Sequence, residues 1–218
     1  MPGQVPKRIH VYRLVHHANL RHILQHGLCH RGHPDFDPNY VNIGNTDIIT
    51  KRVAEPVGLE GYGDLGEYVP FYFSGKTPML YNIRTGYGVP RIPQRDLVYI
   101  VCSFDRLVAS GLQYVYTDGN AKIRISKRYT DPKDVDKLHW DAIGTGDFRT
   151  SVHGPDRTRI LHAEFLVRHH VPVDQIVAVI ALDAERAMEI QQLIAEAGLS
   201  IPVVDDVLKS DKRRWFFP

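Results

Sequence analysis

Cysteine is scarce in this chain: 218 residues contain two, Cys29 and Cys102. They form neither a CxxC metal pair nor a disulfide framework, which excludes a cysteine-ligated zinc module and a disulfide-stapled scaffold and suits a reducing compartment. Net charge is also small, since 27 Lys and Arg face 25 Asp and Glu. No field spans the whole molecule, so any polyanion site has to be local. No apolar run reaches membrane-spanning length, and the opening Met1-Pro2-Gly3-Gln4-Val5-Pro6-Lys7-Arg8 has no apolar signal-peptide core. Together these features predict a protein with no membrane segment and a cytoplasmic location. Three nucleotide or hydrolase signatures are missing as well: GxxxxGK[ST], a strand-linked GxGxxG, and G-x-S-x-G. Gly144-Thr145-Gly146 lacks the third glycine, which disfavours a Rossmann or P-loop enzyme.

The 43% of hydrophobic residues is enough for one sizeable core, so residues 1–218 are expected to form a single domain. Strands are predicted at residues 9–15, 68–73, 96–102, 113–116 and 176–182, with short edge strands at 201–204 and in the Trp215-Phe216-Phe217 tail. Helices are predicted at 19–25, with Gly27 as the stop, from the Thr77-Pro78 cap, at 104–109 after Ser103, at 131–140 and at 184–197 before Gly198. Residues 121–129 alternate as a strand does, yet their charges also fit a helix. Strands outnumber helices without regular alternation, which makes the class α+β. Residues 29–67 carry Gly, Pro, Asn and Asp throughout, as expected of a loop-rich segment that covers a substrate.

Among reactive side chains, Glu164 stands out in the apolar run His162-Ala163-Glu164-Phe165-Leu166-Val167. A carboxylate in such surroundings needs partners to satisfy it, a condition common at functional sites. Opposite it in composition is the aromatic block Tyr68-Val69-Pro70-Phe71-Tyr72-Phe73, and an acid facing an aromatic wall suits chemistry on a sugar cation. His16 follows the first strand and precedes a helix, where a polar ligand could be held. Arg52 offers a fixed guanidinium for a phosphate or a developing anion. His22, His26 and His30 recur every four residues, but Gly27 interrupts the helix and no HExxH glutamate accompanies them, so no metal is expected. Lys122, Arg124, Arg149 and Arg157 belong to two basic segments near tyrosines, the composition that single-stranded nucleic acid requires.

Taken in order, the blocks Tyr12-Arg13-Leu14-Val15-His16 with Asn19-Leu20, Asn42-Ile43-Gly44-Asn45 to Lys51-Arg52, Tyr68 to Phe73 with Pro78-Met79-Leu80-Tyr81, Tyr116-Thr117-Asp118-Gly119-Asn120-Ala121, and Ala163-Glu164-Phe165-Leu166-Val167 carry a resemblance. The chain resembles the DarT family of DNA ADP-ribosyltransferase toxins along nearly its whole length. The resemblance implies an ADP-ribosyltransferase fold with mostly antiparallel sheets flanked by helices, NAD consumed as donor, and transfer of ADP-ribose to thymine in single-stranded DNA. It also implies a macrodomain antitoxin as partner. Carried over by position, Glu164 and Arg52 are the catalytic pair, with Lys51 one position from Arg52 in the match. His16, Asn19, Leu20, Arg52, Tyr72 and Met79 are expected around NAD. Acceptor choice is expected in the loops at 29–67 and 141–160. Two rival readings stand beside this one: an enzyme of the same fold acting on RNA or protein, and a catalytically silent nucleic-acid-binding module.

Overall fold

The computed structural model describes residues 3–143, 145, 156–206 and 214–217. In chain order the regular elements are β1 (His10–His16), α1 (Leu20–His26), β2 (Leu28–Cys29), α2 (Thr46–Arg52), β3 (Tyr68–Tyr72), α3 (Pro78–Thr85), β4 (Leu97–Ser103) and α4 (Phe104–Ala109). They continue with β5 (Tyr114–Thr117), β6 (Arg128–Tyr129), α5 (Arg157–Ile160), β7 (Glu164–Arg168), β8 (His170–Val171), β9 (Ile176–Ala181), α6 (Ala184–Glu196) and β10 (Val203–Asp205). Eight strands form one sheet in the order β10-β9-β4-β1-β3-β7-β5-β6, and β2 pairs with β8 separately. Within the large sheet only β9 and β10 run parallel, and every other adjacent pair is antiparallel. This is the expected α+β class.

Alternation along β4 shows how the sheet acquires two apolar faces. Val98, Ile100 and Cys102 point into a core shared with α1, α4 and α6, while Leu97, Tyr99 and Val101 point to the other side with Leu80 and Ile83 of α3 and Phe216. A strand buried on both faces reads as an unbroken hydrophobic run, as Leu97-Val98-Tyr99-Ile100-Val101 does. The first face is one continuous core. The second is split, with one cluster around Tyr99 and another of Val57, Leu65, Tyr68, Val115, Ala121 and Leu166 under the loops beyond β3.

The cause of the split lies in β3. Strands β1 and β3 share a single recorded paired position, Tyr12 opposite Tyr72. Two residues earlier stands Pro70, which has no N–H to give the ladder. Its carbonyl faces β1 and accepts instead from the Arg13 guanidinium at 2.9 Å. With no backbone partner there, the β1–β3 pairing is confined to Tyr12 and Tyr72, and this break in the ladder is the wedge between the two clusters of the second face.

Within the loop-rich 29–67 segment one short helix forms that the sequence did not announce: Asn45 accepts from Ile48 N at 3.0 Å and caps α2, which ends at Arg52. Seven residues are too short for helical periodicity to stand out among the surrounding Gly and Asn. The segment at 131–140 forms a 3-10 helix, Pro132–Lys137, rather than an α-helix. Residues 121–129 are mostly turns, with only Arg128–Tyr129 in the sheet. The Trp215-Phe216-Phe217 tail is not a strand. Both carboxylate oxygens of Asp206 accept the N–H groups of Arg214, Trp215 and Phe216 at 2.8 to 3.0 Å, so a side chain replaces the ladder.

Candidate active site

Glu164 opens β7 and lies directly across from Tyr72 of β3, at the break between the two clusters of the second face. Its side chain is 2% exposed. A carboxylate removed from water to that degree needs several charge-assisted partners, and it has them. Arg52 engages it with both terminal nitrogens, Nη1 to Oε1 at 3.2 Å and Nη2 to Oε2 at 2.9 Å. Ala121 N donates to Oε1 at 3.2 Å. The backbone of Glu164 is held too, its N–H donating to Thr117 Oγ1 at 3.3 Å.

A carboxylate offers about four acceptor positions. Three bonds fill two positions on Oε1 and one on Oε2. One position on Oε2 remains for a hydroxyl brought into the wedge.

Arg52 and Lys51 differ in placement. Lys51 is exposed, whereas Arg52 turns inward from the last turn of α2. Burial disfavours the guanidinium charge, but the Glu164 carboxylate outweighs it and holds the Arg52 pKa above its ordinary value. The group therefore stays cationic. Burial likewise raises the Tyr72 phenol, with the Glu164 charge adding to it. The Tyr72 hydroxyl lies 3.8 Å from Met79 Sδ, so strand β3 and helix α3 meet at this wall.

The loop before β6 positions the Ala121 amide. Arg128 Nη2 donates to Ala121 O at 3.0 Å, and Arg159 binds Asp118 Oδ1 at 2.8 Å while both Asp156 oxygens hold Arg159 from the other side. A Cβ at Gly119 would lie 2.5 Å from Arg159 Nη1, so this approach requires glycine. The sequence signal for the whole arrangement was the block Thr117-Asp118-Gly119-Asn120-Ala121, whose residues had no assigned role. Arg13 and Thr117 were missed in the same way.

The remaining predicted residues divide. His16 ends β1 at the far side of the wedge, partly buried, with Nδ1 accepting from Ala18 N at 3.2 Å; burial lowers its pKa. Asn19 uses its amide on the backbone of Val41, accepting at 2.8 Å and donating at 3.0 Å, and so ties the start of the 41–45 segment over the first turn. Leu20 is wholly buried in the first-face core and is not a wall of the wedge. Lys122 is partly exposed and Arg124 exposed, both in the loop that carries Ala121. Arg157 is buried and donates to Thr145 Oγ1 at 3.1 Å, so its guanidinium is not offered to solvent. Arg149 lies outside the described residues. His22 stacks on His26 at 4.3 Å and His30 meets His33 edge-on at 6.1 Å, and among the described residues no group of three or more His, Cys, Asp and Glu could hold a metal ion.

Comparison with known proteins decides the family. The family model described as "ssDNA thymidine ADP-ribosyltransferase, DarT" matches residues 12–217. A DNA ADP-ribosyl transferase of Escherichia coli O127:H6 is 32% identical over 200 residues, covering 91% of each chain. The chain belongs to the DarT family. It is an NAD-dependent ADP-ribosyltransferase of single-stranded DNA. A second relative, the DNA ADP-ribosyl transferase of Thermus aquaticus, is 28% identical over 85% of this chain and 81% of its own length. Among solved structures, Thermus sp. 2.9 DarT in complex with ADP-ribosylated ssDNA superposes with a TM-score of 0.87 at 24% identity over the full length of both chains. The same protein in complex with NAD+ gives 0.79 at 23% identity, over 98% of this chain and 100% of that one. At these identities the solved structures establish the shared fold.

Proposed function

We propose that residues 1–218 act as one domain in which Glu164 and Arg52 carry out pentosyl transfer from NAD to a thymine base. The observation that carries this reading is the doubly bonded Arg52–Glu164 pair with one acceptor position open on Oε2. Cleavage of the nicotinamide–ribose bond builds positive charge at the ribose, and a fixed carboxylate that also accepts the ribose 2′-hydroxyl stabilises that charge most in the transition state. Tyr72 and Met79 form the apolar wall for nicotinamide, which limits competing attack by water. His16, and the 41–45 segment tied down by Asn19, enclose the adenosine side of the donor, with Leu20 supporting the turn from beneath.

A thymine ring nitrogen becomes a nucleophile as its proton leaves, and the base then carries negative charge. Arg52, held cationic, stabilises that charge and leaves proton removal to another acceptor. Lys122 and Arg124 supply phosphate contacts at the loop beside Glu164; Arg149 is assigned to the same contacts from its charge and sequence position alone. Arg157 is assigned to support of the loop. The cellular reading that follows is a cytoplasmic toxin whose DNA mark a macrodomain antitoxin removes. The Thermosipho africanus DarTG structure in complex with ADP-ribose, with a TM-score of 0.69 to this chain over 50% of its own length, supports a two-part arrangement in that protein.

The test is to incubate the protein with NAD and one thymine-containing oligonucleotide, presented as the single strand, annealed to its complement, and as RNA. Mass spectrometry with fragmentation then locates the adduct. One ADP-ribose on a thymine of the single strand is the expected outcome, with the duplex protected because pairing hides the ring nitrogen. Equal labelling of RNA or duplex would overturn the assignment of the acceptor.

A further inference from the structure

On the far side of the Tyr12–Tyr72 pair from the wedge is a cleft of about 240 Å³. We propose that this cleft, lined by Arg8, His10, Tyr12, Trp140, Arg214 and Trp215, seats a nucleotide of the acceptor strand next to the reacting thymine. The proposal rests on the reading of the chain as a single-stranded DNA transferase and names the part of the protein that holds the strand.

Three observations carry it. The first is charge. Arg8 and Arg214 are exposed; burial lowers the His10 pKa, and the nearby Arg214 and Arg8 charges lower it further against the opposing acid Asp105. Among the described residues neither arginine is in an ion pair. Two arginines with no carboxylate partner among the described residues line one cleft and give it positive charge in a chain that has almost no net charge.

The second observation is rigid aromatic surface. Trp140 is fixed at its polar edge, where Nε1 donates to Val135 O at 2.8 Å, and its ring packs edge-on against Phe73 at 5.6 Å. Trp215 is fixed through its backbone, with N donating to Asp206 and O accepting from Lys76 N at 3.0 Å, and Arg214 stacks over its ring at 4.8 Å. Gly75 permits this docking, because a Cβ there would meet Trp215 Cα at 2.8 Å. Side chains immobilised before the ligand arrives lose little freedom on binding, and base-on-aromatic stacking tolerates any sequence.

The third is position. Tyr12, Tyr72 and Glu164 are neighbours across three strands, so the cleft begins about 10 Å from the carboxylate, two strand spacings away. His16 lies four residues along β1 in the other direction, about 13 Å beyond Tyr12. Donor and acceptor can then approach Glu164 from opposite sides, and a cleft on the acceptor side belongs to the DNA strand rather than to the adenosine of NAD.

The chain has two tryptophans, and both line this cleft, so intrinsic fluorescence reads its occupancy directly. Without NAD present, an oligothymidylate of about eight nucleotides, long enough for one binding site, should quench the emission saturably and lose affinity as salt rises. ADP-ribose alone should leave the emission unchanged. In turnover, the double variant Arg8→Glu/Arg214→Glu should raise the KM for the oligonucleotide at least about tenfold, as expected for losing two phosphate contacts, and leave the KM for NAD as it was. Absence of quenching by DNA, quenching by ADP-ribose alone, or an unchanged oligonucleotide KM in the double variant would each overturn the assignment. If the wild-type protein labels DNA normally while any of these occurs, only the cleft is misassigned. If it is quenched by DNA yet labels none, the transferase reading fails and the cleft stands.

Discussion

Two buried arginine–carboxylate pairs occupy the same end of the sheet, and they differ in what they leave unsatisfied. Arg159 spends its guanidinium on Asp156, on the side chain and backbone of Asp118 and on Ser126 Oγ. Arg52 makes two bonds, both to Glu164, and Glu164 retains an acceptor position. The two arginines are similarly covered, with side chains 11% and 16% exposed. Burial therefore does not separate the two arginines; their partners do, since Arg159 is tied to Asp156, Asp118 and Ser126 whereas Arg52 is tied to one carboxylate, the one to which the proposed function brings a ligand.

The strongest way to break that contrast is to remove Glu164. Glu164→Ala should lower the rate of DNA labelling by at least about two orders of magnitude, the scale of a lost preorganised charge, and should relieve toxicity in cells. Labelling of one oligonucleotide under single-turnover conditions measures it. Near-normal labelling would place Glu164 with the structural group. Next comes Arg52→Ala, expected to reduce turnover on DNA by about tenfold or more while changing the KM for NAD little. Lys51→Ala should stay within about twofold of the parent on the same measurement, since surface groups away from the site contribute little. A loss of NAD affinity at normal saturating turnover would make Arg52 a donor clamp instead.

Arg159→Ala sharpens the comparison from the other side. It leaves Asp118 without its cation and should destabilise the fold by about 3 kcal/mol, near the low end for a broken buried pair because Asp156 is largely solvated. Urea unfolding measures the loss. Activity per folded molecule should fall only a few-fold, through a less firmly held Ala121 amide, and a collapse to the level of Glu164→Ala would assign Arg159 to the chemistry.

How far the sequence could reveal this end of the molecule depended on the range of the interaction. Thr77-Pro78 and Ser103 announced their helices because a cap and its helix are contiguous, and the run at 97–101 announced a strand buried on both faces. Glu164 was legible because a carboxylate inside an apolar run conflicts with its surroundings. Its partners were not legible from spacing: Arg52 is 112 residues away and Ala121 is 43. The resemblance supplied Arg52, but it could not assign a role to an amide, because a backbone donor leaves no mark in residue identity. Pro70 was visible throughout, but its effect depends on which neighbouring strand its missing N–H faces, and only the pairing of β3 with β1 settles that.

The smallest expected effect concerns His162, two residues before Glu164. Its ring lies 6.5 Å from that of Tyr72, and its Nδ1 donates to Thr158 O at 2.8 Å, which fixes the neutral tautomer with the proton on Nδ1. Burial lowers its pKa below 6.5, partly offset by the Thr158 carbonyl and the Glu164 charge. As pH falls through about 6.5 the unfolded chain takes up a proton that the folded chain resists, so this residue's contribution turns destabilising on the acid side. His10, His16, His17 and His30 are shifted in the same direction and add to the trend. The folded protein should therefore lose Tm between neutral pH and about pH 5, and His162→Gln should shallow that slope by a degree or so without removing it. Thermal melts across this range compare the two proteins. A steeper slope in the variant would mean that protonated His162 is accommodated beside Glu164, and it would join the group of side chains with unspent capacity at the site.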